Sequence, residues 1–289
     1  MNLFVFGLGF TARRFVERER GRFGRIAATV TEPDKARALA AQTAQTMYAF
    51  AENRDDPAIA ADLADCDALL VSAPPGRCGD SVLAAHASHI RESRIRWIGY
   101  LSTIGVYGDQ GGAWIDEATE PSPRSERSRM RLAVERDWLA LGAETGKAVQ
   151  VFRLSGIYGP GRNPFVKLRE GKAQRIIKRD QVFNRIHVDD IASSLAASLD
   201  RPRGGGIYNV TDDEPAPPQL VTEYAADLAG LPLPPAVDFE TAELSPMARS
   251  FYGENKRVRN RLIREELGVD LAYPTYREGL AALVDDARG

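Results

Sequence analysis

Cysteine is nearly absent: Cys66 and Cys78 are the only two in 289 residues, too few for a disulfide framework and not spaced as CxxC. They read as reduced cytosolic thiols. Histidine occurs three times, and no Cys, Asp or Glu completes a ligand spacing around His86 and His89, so these read as a surface pair and no metal site is expected. Charge of one sign is also missing. Thirty-eight Lys and Arg against 40 Asp and Glu leave a formal −2, which gives nucleic acid or an anionic membrane nothing to hold. No run approaches the roughly 18 apolar residues of a membrane span. Neither a basic n-region nor an apolar h-region precedes the strand-like run starting at Asn2, so a cytoplasmic location is expected. The GxSxG nucleophile turn of hydrolases is absent as well.

What is present is a hydrophobic content of 44%, enough for a sizeable core, arranged in a rhythm. NLFVF is followed by TARRFVERE, RIAATV by DKARALAAQ, DALLVSA by SVLAAHASHIRES, RWIGYLS by an Arg-rich helix at 125–135, and then AVQVFRL. Apolar strands alternating with amphipathic helices predict an α/β doubly wound parallel sheet of the Rossmann type. After Leu154 the rhythm gives way to SGIYGPGRNP, REGKAQRIIKRD, RIHVDDIASSLAASL, IYNVTDDEP, proline-bearing linkers and a last helix at YREGLAALVDDA. The division expected is a dinucleotide-binding domain over 1–154, and a region over 155–289 that completes the sheet and forms a smaller substrate lobe.

The turn after the first strand is Gly7-Leu8-Gly9-Phe10-Thr11-Ala12, a GxGxxA pattern opening directly into a helix. In that context Gly7 permits the tight turn, Gly9 lets a pyrophosphate approach the backbone, and Ala12 allows close helix packing. A purely structural strand-to-helix turn uses the same small residues. About 20 residues on, at the end of the second strand, Glu32 stands where a carboxylate meets a ribose 2′-hydroxyl. No arginine adjoins it in the chain to attract a 2′-phosphate, so NAD is favoured, with NADP second. Glu32 before Pro33 would equally serve to open the next helix.

Further motifs follow in order: VSAPPG at 71–76, LSTIGVYGD at 101–109, DEATEPSP at 116–123, RLSGIYGPG at 153–161, RIHVDDIA at 185–192 and YNVTDDEP at 208–215. With the glycine turn, this series resembles the extended short-chain dehydrogenase/reductases, specifically the NAD-dependent epimerase/dehydratase family, over nearly the whole chain. The resemblance implies that Ala73 and Pro74, after the fourth strand, line the adenosine side of the cofactor. It places Ser102 and Thr103 at the end of the fifth strand beside the nicotinamide. It also implies a substrate lobe built from the late segments, with Arg153, Tyr158, Gly159, Asn163 and Asn255–Arg257 as specificity candidates. Pairing through the helices after the fourth and fifth strands would give a homodimer, and the apolar stripe Met130, Val134, Trp138, Leu141 offers a surface for it unless that stripe faces the sheet.

One departure matters most. Active members carry a tyrosine and, four residues later, a lysine whose ammonium favours the phenolate, because a free phenol near pKa 10 is too weak a base. Glu135 matches a glutamate frequent four residues after that lysine, and counting back places Arg131 at the lysine and Arg127 at the tyrosine. Arg131 can still donate to a ribose, whereas a guanidinium with a pKa above about 12 cannot work as Arg127 would need to. Both arginines could alternatively be solvated and paired with Glu126 or Glu135. Tyr107 is the nearest spare phenol in sequence, serving either chemistry or packing, and His187 with Asp189 and Asp190 reads as a helix start. Two functions stay open: an NAD(P)-binding oxidoreductase or isomerase acting on a small polar, sugar-like substrate through an altered site, and a non-catalytic NAD(P)-binding sensor or regulator.

Overall fold

Strands with almost no polar side chains need cover on both faces, and five such runs come together first. They are β1 (Asn2–Phe6), β2 (Arg25–Val30), β3 (Thr46–Ala49), β4 (Ala68–Val71) and β5 (Trp97–Thr103). With β6 (Ala148–Leu154) and β7 (Gly206–Val210) they make one seven-stranded sheet in the order β7-β6-β5-β4-β1-β2-β3. The pairs β1–β2, β1–β4, β2–β3 and β4–β5 are parallel. The order reverses at β1, whose carboxyl end is therefore a topological switch point, the place where doubly wound sheets take ligands. The computed structural model describes residues 1–285 except residue 77.

The helices between these strands are α1 (Phe10–Arg18), α2 (Pro33–Gln42), α3 (Ala58–Ala64), α4 (Ser81–Glu92) and α5 (Glu126–Thr145). Neither β3 nor α3 is read from the residue pattern. β3 is a four-residue edge strand whose residues are all half-buried, too short and too mixed to show a period. Asp80 caps α4 by accepting from the Val82 and Leu83 amides, and its other oxygen accepts from the Trp138 indole of α5 at 3.1 Å. The stripe Val134, Trp138 and Leu141 is buried in one core with Phe4, Leu69, Tyr100 and Val151 of the sheet. These three residues are thus committed to the protein's own sheet, and of the stripe offered for pairing Met130 alone stays half-exposed.

The chain divides into two compact units assembled from alternating segments. The first takes residues 1–103, 125–153 and 191–208; the second takes 104–124, 154–190 and the chain from 209 onward. The end of the first predicted domain, at 154, thus lies at one of several crossings. Within the second unit, short parallel pairs join Gly156–Tyr158 to Arg185–His187, Arg175–Ile177 to Ala236–Asp238, and Trp114–Ile115 to Arg257–Val258. Gly279 in the helix Tyr276–Leu283 has no Cβ because the Tyr158 phenol lies against it, 1.9 Å from where one would stand. Residues 286 and 287 of the predicted last helix lie outside the described residues.

One charged group sits in the middle of the first unit. Glu135 of α5 is 1% exposed and pairs with the equally buried Arg153 of β6 at 2.8 Å, while the Ser102 hydroxyl of β5 donates to its other oxygen. A buried ion pair adds little over apolar packing, but losing one partner leaves the other charged in a place without water. Replacing Glu135 by Gln or Arg153 by Met should therefore lower unfolding free energy by about 3–5 kcal/mol in denaturant titrations, and the double change Glu135→Leu with Arg153→Met by clearly less. Equal and additive losses would show that the charges do not act as a pair.

Candidate active site

The site begins where β1 runs out. Gly7 takes φ +86°, and a Cβ there would stand 2.8 Å from the Ala73 amide nitrogen and 3.0 Å from its Cα. Glycine at this position lets the turn lie against the loop after β4, so Ala73 is brought to the glycine motif. Pro74 follows, exposed. Thr29 of β2 pins the turn from the other side: its hydroxyl accepts from the Gly7 amide at 2.9 Å and its carbonyl from the Leu8 amide at 2.8 Å. Nothing in the sequence marks Thr29, which is one more residue of RIAATV.

Gly9 differs from Gly7 in kind. Its backbone, φ −89° and ψ −166°, suits any residue, and a Cβ would meet nothing nearer than the Gly7 carbonyl oxygen at 4.0 Å. The protein leaves this space open without needing glycine for its own geometry. Beyond it stands the amino end of α1, with no side-chain cap and no acidic residue in its first turn. A positive helix end without an acidic residue in its first turn suits an anion. Phe10 is half-buried there, and Thr11 and Ala12 are buried beneath it. These residues fit the pyrophosphate of a dinucleotide.

Glu32 is exposed at the start of α2 and its side chain does not cap that helix. No arginine adjoins it in the chain, but the fold brings one to the preceding residue, Thr31. Arg54, in the turn after β3, donates from Nη1 to the Thr31 carbonyl at 2.9 Å.

At the carboxyl end of β5, Ser102 is buried and its hydroxyl is given to Glu135, while Thr103 next to it is half-buried. Ser125 caps α5 by accepting from the Ser128 amide at 3.1 Å, and Arg127 and Arg131 follow on that helix. The two arginines have different surroundings. Arg127 is exposed and makes no hydrogen bond or ion pair among the described residues. Arg131 is buried: its Nη1 donates to the Leu101 carbonyl at 2.8 Å and to the Tyr100 phenol at 3.1 Å. Its Nε and Nη2 make no hydrogen bond among the described residues. Neither arginine pairs with Glu126 or Glu135, because Arg153 holds Glu135. Burial pushes the Tyr100 phenol above its usual range despite Arg131 beside it, so it stays protonated.

Tyr107 is fully buried and donates to Asn209 Oδ1 at 2.9 Å, a packing role for the phenol. Of the specificity candidates, Arg153 is internal to the first unit. Asn163 caps the helix Pro164–Arg169 and bonds the Gly159 carbonyl, Asn255 bonds the Asp180 carbonyl, and Lys256 donates to the Gly108 carbonyl. Asp190 receives the Ala272 and Tyr273 amides at 2.7 and 3.1 Å, binding the late chain as well as standing near a helix start. The histidine pair is half wrong: His89 is exposed, but His86 is buried and bonded to Asp55 at 3.0 Å. Burial lowers the His86 pKa against the opposing pull of Asp55.

The profile of the NAD dependent epimerase/dehydratase family matches residues 82–211. Protein YeeZ of Escherichia coli K12 is 31% identical over 220 residues, covering 73% of each chain. A functionally unknown conserved protein of Silicibacter pomeroyi DSS is 49% identical, with a TM-score of 0.88 over 100% of this chain and 99% of its own. The dTDP-glucose 4,6-dehydratase of Bacillus anthracis, crystallised with NAD, superposes at a TM-score of 0.80 with 19% identity, over 99% of this chain and 96% of its own, and at that identity shares the fold. The ordered motifs, the sheet that reverses at the glycine turn and these likenesses agree: the chain belongs to the NAD-dependent epimerase/dehydratase family.

Proposed function

We propose that this protein binds NAD(P) across the glycine turn and handles a small, polar, sugar-like molecule at the end of β5 without the usual phenol-and-ammonium pair. The observation that carries this is the open space at Gly9, where the backbone conformation does not call for glycine, directly before the positive end of α1. The dehydratase crystallised with NAD lends the same reading its chemistry. Bound NAD(P) supplies reversible hydride transfer. Around it, Gly9, Phe10 and Thr11 would hold the pyrophosphate, Ala73 and Pro74 the adenosine side, and the uncommitted Nε and Nη2 of Arg131 the nicotinamide ribose. Thr103 would orient the substrate's oxygen, since Ser102 gives its proton to Glu135.

No group in this arrangement relays a proton at neutral pH. Arg127 holds its proton too tightly, and Tyr107 and Tyr100 are sealed in the core. General acid–base assistance is worth roughly 10²–10⁴ in rate, so dehydrogenase turnover should be slow unless the substrate brings its own acid or base. The sealed Tyr107 also favours a second reading, a protein that binds the nucleotide and reports it without turnover.

Two experiments test these readings. Gly9→Leu should melt like the native protein yet bind NAD and NADP roughly a hundredfold more weakly in calorimetry, two tenfold steps in affinity. Native protein that binds neither at millimolar concentration would remove the dinucleotide reading. Arg127→Tyr combined with Arg131→Lys should raise turnover on a panel of hydroxy and keto compounds about a hundredfold or more. Brisk native turnover, unchanged in Arg127→Ala, would show that the reacting proton is handled elsewhere.

A further inference from the structure

Arg54 sits in a tight turn closed by two backbone hydrogen bonds with Ala51, at 2.9 and 3.0 Å. Three carboxylates lie within two residues of it, Glu52, Asp55 and Asp56, yet it forms no ion pair with any of them among the described residues. Each acid has another place. Asp55 is held by His86 at 3.0 Å, Asp56 accepts from the Ala58 amide at 3.0 Å, and the Glu52 carboxylate lies against Gly76, 2.8 Å from where a Cβ would be. The Arg54 guanidinium instead spans from the turn after β3 to the end of β2. There Nη1 is fixed on the Thr31 carbonyl, while Nε and Nη2 make no hydrogen bond among the described residues. Two donor nitrogens of this exposed guanidinium are thus available to a group bound beside the end of β2.

The place it is held is chemically specific. The end of β2, one residue before Glu32, is where a dinucleotide bound at the glycine turn presents its adenosine ribose. Glu32 alone accepts a 2′-hydroxyl and repels a 2′-phosphate; a planar guanidinium with spare donors reverses that, because it meets phosphate oxygens through paired charge-assisted bonds. We infer that Arg54 is a specificity-determining residue that engages the 2′-phosphate of NADP, so that the site accepts NADP as well as NAD in spite of Glu32. The inference rests on the dinucleotide reading of the glycine turn and adds to it a residue that no sequence motif marks.

Calorimetric titration of NAD and NADP into the native protein, Arg54→Gln and Arg54→Lys tests it, with thermal melts to establish that the variants are folded. Native protein should bind both. Arg54→Gln should weaken NADP about tenfold, the equivalent of one charge-assisted contact, while NAD changes less than about twofold. Arg54→Lys should recover part of the NADP affinity through its charge. Native protein that binds NAD but not NADP overturns the inference. So does an equal loss for both nucleotides in Arg54→Gln, which would mean that Arg54 only shapes the turn, and so does no loss for either. Binding of neither nucleotide by the native protein would fail the glycine-turn reading itself, a different result from an unchanged NADP to NAD ratio.

Discussion

Glu135 carries a carboxylate into the middle of a helix–sheet layer where no water reaches, and three elements arrange themselves around that charge. Arg153 neutralises it from β6, Ser102 donates to it from β5, and the helix that bears it must hold one rotation and one height on the sheet. That single alignment decides what α5 presents one and two turns earlier. Arg131 is turned inward to meet the Leu101 carbonyl and Tyr100, and Arg127 is left exposed at the first turn. Both positions carry guanidinium groups, and neither gives up its proton at neutral pH.

The two glycines of the turn divide the same question differently. Gly7 is required by the protein, since its conformation and the Ala73 backbone exclude a side chain. Gly9 is required by nothing in the described structure. Substitution at the first should damage the fold, and at the second only the ligand. The contrast separates folding from binding within three residues, which a bare GxGxxA pattern cannot do.

The sheet apart from β3, the helices apart from α3, and the glycine turn were legible because they rest on local period and on turn chemistry within a few residues. What was not legible depends on groups brought together across the chain. Arg153 reads in sequence as the start of a substrate loop, yet it ends up as the counter-ion of a glutamate 18 positions earlier. Arg54 could be placed beside Thr31 only by knowing β3, and β3 is a half-buried edge strand whose four residues show no alternation. The stripe on α5 was visible, but period alone does not say which surface a stripe covers, and here it is the sheet. His86 failed for the same reason, since its helical neighbours do not reveal that Phe6 and Phe50 close over it.

The central claim is that this fold binds a dinucleotide at the open turn and brings no proton-transferring side chain to its reactive end. A crystal structure with NAD or NADP bound tests that most directly. The account predicts pyrophosphate oxygens on the backbone N–H groups at the start of α1, Arg131 Nε or Nη2 on the nicotinamide ribose, and no tyrosine, lysine or histidine within hydrogen-bond reach, about 3 Å, of a hydroxyl placed against the nicotinamide. A dinucleotide bound away from Gly9, or a phenol or amine standing at the reacting carbon, would contradict it.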